Sequence, residues 1–237
     1  MNRPPDSPIL LVYLDRYHLG DPLFLQRFAP VVRAHEGPLV VLHGAGEAAE
    51  RALEAEGRLV ARAGGVLQVE DEAGRALVER SARDLNRHVV HALNEAGVAA
   101  LRLTGMDRGL LRVTEGGEVA VGRVGWLRTL VLQGAVPAVA LLAEGAGGAF
   151  EVSPDRAVAA LAEAFGEEDG VASVAVLLAR SGPRRGGDEG EALLRAVAEP
   201  ETARGVSARG VRVRVARPEA IRGTGVPAGV DYPEGGE

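Results

Sequence analysis

Five short apolar runs recur between longer amphipathic stretches, and this alternation constrains the fold of the chain more than any other feature. Residues 9–14, 39–42, 99–103, 138–142 and 171–178 are nearly free of polar side chains and show no period-2 alternation. Runs of that kind read as strands buried on both faces, the pattern of a parallel sheet covered by helices on each side. The intervening stretches, residues 22–34, 47–56, 71–96, 126–133 and 153–165, supply those helices. In residues 71–96, Ala73, Leu77, Val78, Leu85, Val89 and Leu93 are read as core, and Gly97 as the C-terminal cap. Two hairpins are expected, residues 59–61 with 66–69 around Gly64-Gly65, and residues 110–113 with 118–121 around Glu115-Gly116-Gly117. The expected class is therefore α/β, a three-layer αβα sandwich with a mostly parallel central sheet. Beyond Ala179 the texture changes to a glycine- and charge-rich loop (181–190), a short helix (191–198), a Val/Arg alternation (211–215) and a Pro/Gly/acidic tail from Gly223 that reads as frayed.

Composition removes whole classes of chemistry. The 237 residues include no cysteine and no lysine; all 27 basic residues are arginine, and 33 acidic ones bring the formal charge to −6. A lysine Schiff base, a phosphate-loop lysine, a thiolate nucleophile and a Cys-ligated metal are excluded. Arginine stays protonated, so it binds anions but takes up no protons. With only 3% aromatic residues and a net acidic chain, nucleic acid is not an expected partner. No apolar stretch reaches the roughly 18 residues of a membrane span, and residues 1–8 are polar and proline-rich, so no signal peptide is expected and the cytoplasm is the default.

Several residues are candidates for chemistry. His43-Gly44-Ala45-Gly46 joins a strand to a helix, which makes it either an anion site of backbone N–H groups at a helix N-terminus or a tight turn that needs glycine. Ser153-Pro154-Asp155 has the form of a helix start, with a cap, a proline and an acid in the first turn. His88 and His91 share a helix face, but no third ligand completes a metal set, so no metal site is expected. His18 and His35 belong to no pattern. Arg204, Arg209, Arg212, Arg214, Arg217 and Arg222 form the strongest local charge, either a phosphate or acidic-partner site or a solvated face.

Three groups of motifs, in order, resemble the amino-acid kinase superfamily, with acetylglutamate kinase and the carrier-protein aminoadipate kinase as the nearest relatives. They are Pro38 to Gly46 (strand, then His-Gly-Ala-Gly); Asp84-Leu-Asn86-Arg87 with Gly97 to Asp107; and Gly122-Arg-Val-Gly125, Gly134-Ala-Val-Pro-Ala-Val, Glu151-Val-Ser-Pro-Asp155 and Ala160 to Gly166. The likeness covers roughly residues 8 to 178 and implies an amino-acid-kinase-like sandwich. It implies a substrate-side lobe over residues 1–170 and a shortened nucleotide lobe with a flexible tail over 171–237. It also implies ATP and Mg²⁺ as cofactors, a small acidic ligand or nucleotide, and a homodimer through the helix of residues 71–96. Carried over position by position, Gly44, Ala45 and Gly46 would bind phosphate or substrate. Asp155 would be the aspartate that holds the catalytic lysines, and Arg204 or Arg209 would stand in for the second lysine. The first lysine falls on Val12, its two glycines on Leu14 and Asp15, and the substrate-clamping arginine on Leu67. The Asn pair that contacts substrate becomes Glu151 and Ser153, and the nucleotide-lobe aspartate is missing from Leu178-Ala-Arg-Ser-Gly182. The resemblance with these losses implies a degenerate member with weakened phosphoryl transfer. Its alternative is an active kinase on the carboxylate of an N-acylated acidic amino acid.

Overall fold

The computed structural model describes residues 7–145, 148–169, 172–180 and 189–233. The chain runs through β1 (Ile9–Leu14), α1 (Arg16–Gly20), α2 (Phe24–Arg33), β2 (Leu39–His43), α3 (Gly46–Ala55), β3 (Arg62–Ala63), β4 (Val66–Leu67) and α4 (Glu72–Glu95). There follow β5 (Ala100–Thr104), β6 (Leu111–Val113), β7 (Val119–Val121), α5 (Gly125–Leu132), β8 (Val136–Ala140), β9 (Leu142–Gly145) and β10 (Gly148–Glu151). The last third holds α6 (Pro154–Asp169), β11 (Ser173–Leu178), α7 (Glu189–Arg195), α8 (Pro200–Ser207), β12 (Val213–Ala216) and β13 (Val230–Asp231).

Seven strands make the central sheet in the order β13-β12-β11-β1-β2-β8-β5. All neighbours are parallel except the edge pair β12 and β13. β1 is buried at every position because both faces are covered. Ile9, Leu11 and Tyr13 face a core shared with Leu127 of α5, Phe165 of α6 and Val206 of α8. Leu10, Val12 and Leu14 face the other core, with Phe24 and Phe28 of α2 and Val89 and Leu93 of α4. This is the expected αβα sandwich. A smaller four-stranded sheet, β10-β9-β6-β7, and the β3–β4 hairpin lie beside it.

Local chemistry explains most element ends. Asp71 caps α4 by accepting the N–H of Gly74 at 2.9 Å, and Gly97, at φ +82°, takes the left-handed turn that stops it. The buried face of α4 is Gly74, Val78, Ala82, Asn86, Val89 and Leu93; Ala73, expected there, is exposed because it lies one step off that stripe. The expected strand over residues 138–142 is two: β8 ends at Ala140 and β9 begins at Leu142 in the other sheet, a change of partner invisible inside an uninterrupted apolar run. α1 and α8 were not expected as elements. The tail, expected to fray from Gly223, is held through its described part: Val230 pairs with Val215, and Arg212 and Arg214 both bind Asp231. Residues 181–188 of the expected glycine-rich loop, Val171 of the expected strand and residues 234–237 lie outside the described residues.

Candidate functional site

Parallel strands of an open sheet direct their C-terminal ends to one edge, and ligands gather where the strand order reverses. Here that point lies at β1, which has β2 on one side and β11 on the other. The residues at this crevice are acidic. Asp15, next after β1, is 3% exposed; its Oδ1 accepts the N–H of His18 at 2.9 Å and its Oδ2 meets His18 Nδ1 at 2.8 Å. Glu199, 6% exposed, accepts a hydrogen bond from the Tyr13 hydroxyl at 3.1 Å, from Thr202 Oγ1 at 3.3 Å and from the Arg16 N–H at 3.4 Å. The Arg16 guanidinium stands 3.7 Å away. Burial, and then the charge of Asp15, push the Glu199 carboxyl above its usual range; burial and the Glu199 charge raise the Tyr13 hydroxyl further. Val12, at the position matched to the first lysine, is fully buried and faces the α2–α4 core.

A second cluster surrounds the N-terminus of α3. Gly46, at φ +68°, makes the strand-to-helix turn, so the backbone need for glycine holds there. One N–H of the turn meets an anion, and that anion comes from the chain itself. Glu151 of β10 reaches across so that the Ala45 N–H donates to its Oε1 at 2.6 Å and the Leu67 N–H donates to its Oε2 at 3.3 Å. Gly44 is packed against that carboxylate, since a Cβ there would lie 2.8 Å from Oε1. Arg62 of β3 bonds the carbonyls of Gly65 at 2.7 Å and Gly46 at 3.4 Å and pairs with Glu50. Burial raises the Glu151 carboxyl, while the Ala45 N–H and the Arg62 charge oppose that shift. Beneath the turn, His43 is wholly buried; its Nδ1 bonds the Gly44 carbonyl at 2.8 Å and its Nε2 meets Asn86 Nδ2 at 2.9 Å.

A cleft of about 530 Å³ runs past Glu151 and is lined also by Gly64, Ser153, Asp155, Arg156 and Arg209. Asp155 accepts from Ser153 Oγ and, at 2.8 Å, from Arg209 Nη1. Gly205 lets α8 approach, because a Cβ there would sit 2.5 Å from Asp155 Oδ2. Of the two arginines considered as lysine replacements, Arg209, in the turn after α8, is the one paired with Asp155; Arg204 is exposed on α8. Gly44 and Ala45 thus meet Glu151, and the Gly46 carbonyl meets Arg62, while Asp155 and Arg209 stand elsewhere on the cleft wall. Sequence reasoning missed Glu199 and Arg62, and noted Glu151 only as a lost asparagine. His91 pairs with Glu95 on the surface, and no group that could hold a metal ion occurs among the described residues. Nor is any helix among them long and apolar enough to cross a membrane.

No family model matches the chain. An acetylglutamate kinase of Rubrobacter xylanophilus is 34% identical over 198 residues, covering 80% of this chain and 76% of the relative. One of Roseiflexus sp. is 32% identical over 176 residues, covering 70% of this chain and 67% of the relative. A solved structure from Streptococcus mutans shares the fold with a TM-score of 0.65 at 18% identity, over 96% of this chain and 98% of that one.

Proposed function

Because the chain belongs to the acetylglutamate kinase family of amino-acid kinases, we propose that it is a member with lost or strongly weakened phosphoryl transfer. It serves as a ligand-binding or partner subunit in amino-acid biosynthesis, in the cytoplasm and as a homodimer through α4. The observation that carries this reading is the pair of buried carboxylates, Asp15 and Glu199, at the crevice where β1 ends. Phosphoryl transfer demands cations and N–H donors around three charged oxygens, and positioning plus electrostatics is nearly all of its catalysis. A carboxylate ~4 Å from a phosphate oxygen repels it by about 4 kcal/mol at the dielectric of a protein surface. ATP therefore fits this crevice poorly. Nor do Asp15 and Glu199 fit Mg²⁺, since their oxygens already serve His18, Tyr13, Thr202 and the Arg16 N–H.

The competing reading is an ATP- and Mg²⁺-dependent kinase acting on the carboxylate of an N-acylated acidic amino acid, of acetylglutamate or aminoadipate type. One observation favours it: the Asp155–Arg209 pair keeps an aspartate against a cation on the cleft wall. Incubation with ATP, Mg²⁺ and N-acetylglutamate, with acyl phosphate trapped by hydroxylamine, separates the two. The expected result is no hydroxamate above background; turnover near the ordinary enzyme range of about 1 s⁻¹ or more overturns our reading. Arg209→Met discriminates further. On our reading it costs no more than about 1 kcal/mol in urea unfolding, as for a largely exposed ion pair, whereas the kinase reading requires it to abolish whatever turnover exists. A thermal-shift screen of nucleotides and amino acids then distinguishes a ligand binder, which responds, from a purely structural partner, which does not.

A further inference from the structure

We propose that Glu151 is an internal ligand: its carboxylate occupies the anion seat made by the Ala45 and Leu67 N–H groups and so excludes acidic ligands from the cleft. The inference deepens the reading of the chain as a ligand-binding subunit and rests on it, but not on the loss of phosphoryl transfer.

The seat is built from separate parts of the chain. Ala45 lies at the N-cap of α3, where an N–H has no partner inside the helix, and Leu67 belongs to the β3–β4 hairpin. Both N–H groups aim at one carboxylate, one at each oxygen. Convergent N–H donors, one of them at a helix N-terminus, form an arrangement that holds a free carboxylate or phosphate in other proteins. Here the residue that fills it is 106 positions away along the chain. Gly44 gives way to it, since any side chain there would strike Oε1. Arg62, which packs on the turn and the hairpin, supplies the compensating charge. The same Glu151 lines the 530 Å³ cleft, so the seat opens on the space a ligand would enter.

An attached group competes at an effective concentration of millimolar or higher, without the cost of association. A dissolved carboxylate well below that concentration does not displace it. Glu151 thereby sets specificity: the cleft of the natural chain rejects ligands that need a carboxylate in the seat. Removing the side chain to Cβ leaves both donors exposed to a vacancy of carboxylate shape.

The test uses the full chain without nucleotide, so turnover in the kinase assay and failure here are separate results. Thermal unfolding of the natural chain and of Glu151→Ala is followed while sodium acetate, N-acetylglutamate or sodium chloride is titrated at matched ionic strength. The natural chain should respond equally to all three. E151A should melt about 5 °C lower and recover saturably with acetate and N-acetylglutamate but not with chloride. Calorimetry should show E151A binding N-acetylglutamate at least ~10-fold more tightly than the natural chain does. If E151A does not fold, Glu151→Asn, uncharged and one methylene shorter, is read by the same titrations. Equal binding of N-acetylglutamate by natural and variant chains overturns the proposal, and so does a folded variant that responds to carboxylates no more than to chloride.

Discussion

Replacing Val12 by lysine should destabilise the chain by about 4 kcal/mol or more, the range of a buried unpaired charge, and should restore no phosphoryl transfer. By the resemblance Val12 takes the place of the family's first lysine, and if the proposed loss of activity lay there alone, the simplest repair would be to put the lysine back. The structure argues against that repair. Val12 is fully buried at the middle of β1, in register with Val176 of β11 on one side and Val41 of β2 on the other. Its side chain enters the core formed with Leu10, Leu14, Phe24 and Phe28. A lysine there must either carry its ammonium into that core or lose its proton, and its longer stem overpacks the site in both cases. Asp15 and Glu199 would still stand at the end of β1. Urea unfolding at pH 7 and the hydroxamate assay check the two halves of the expectation. A V12K chain as stable as the natural one would show that the strand end is an open site wall, and measurable turnover would show that the carboxylates do not block it.

This accounts for a substitution that base composition leaves unexplained. A chain that uses arginine everywhere can exchange Lys for Arg and lose no charge, but Val12 keeps none. Around this position the structure places packing on one side of β1 and buried carboxylates at its end.

The parts of this arrangement legible in sequence are the local ones. The apolar runs announce β1, β2 and β11 because strands buried on both faces carry no polar alternation. Asp71 and Gly97 mark the ends of α4, and the His43–Gly46 turn is visible as a glycine-bounded step from strand to helix. What sequence hides is which distant side chain fills each space. Glu199 lies 186 positions from the Tyr13 hydroxyl it binds and looks, in sequence, like one more acid before a helix. Glu151 reads as a missing asparagine until β9 and β10 fold back and bring it to Ala45. Arg62 stays hidden because the clamp position implied by the resemblance falls on Leu67, across the same hairpin; Leu67 contributes its N–H while its side chain joins the core. α1 escapes because five residues are too short to show helical periodicity.

Asn86→Ala should cost about 3 kcal/mol at pH 7, and acid should weaken the natural chain through the residue that Asn86 binds. Asn86 is fully buried on α4, and its Nδ2 lies within bonding distance of His43 Nε2, the Leu103 carbonyl and the Ala138 carbonyl at 2.9, 3.1 and 2.9 Å. Its removal takes a donor from His43 Nε2 on β2 and from the Leu103 and Ala138 carbonyls on β5 and β8. The same geometry fixes the protonation of His43. Nε2 faces a donor and must be bare, while Nδ1 faces the Gly44 carbonyl and must carry the hydrogen. Burial accordingly lowers the His43 pKa from 6.5 to about 4. An unfolded histidine takes its proton near 6.5, so the stability held by neutral His43 is complete above that pH. It declines as the pH falls toward 4, with a ceiling of about 3 kcal/mol. Glu151 and Glu199 act in the opposite sense: their carboxyls are raised, so their contribution declines as the pH climbs above the ordinary glutamate value of 4.5. Replacing His43 and Asn86 together by leucine removes the histidine component and leaves the glutamate one. Urea midpoints between pH 7 and pH 4.5 should therefore fall for the natural chain and hold level or rise for the double variant; parallel curves would refute the assignment. The Nδ1–H bond to the Gly44 carbonyl favours the charged ring, so protonation instead sets an Nε2–H against the Asn86 amide, and the contact that gives way first is the one between β2 and α4.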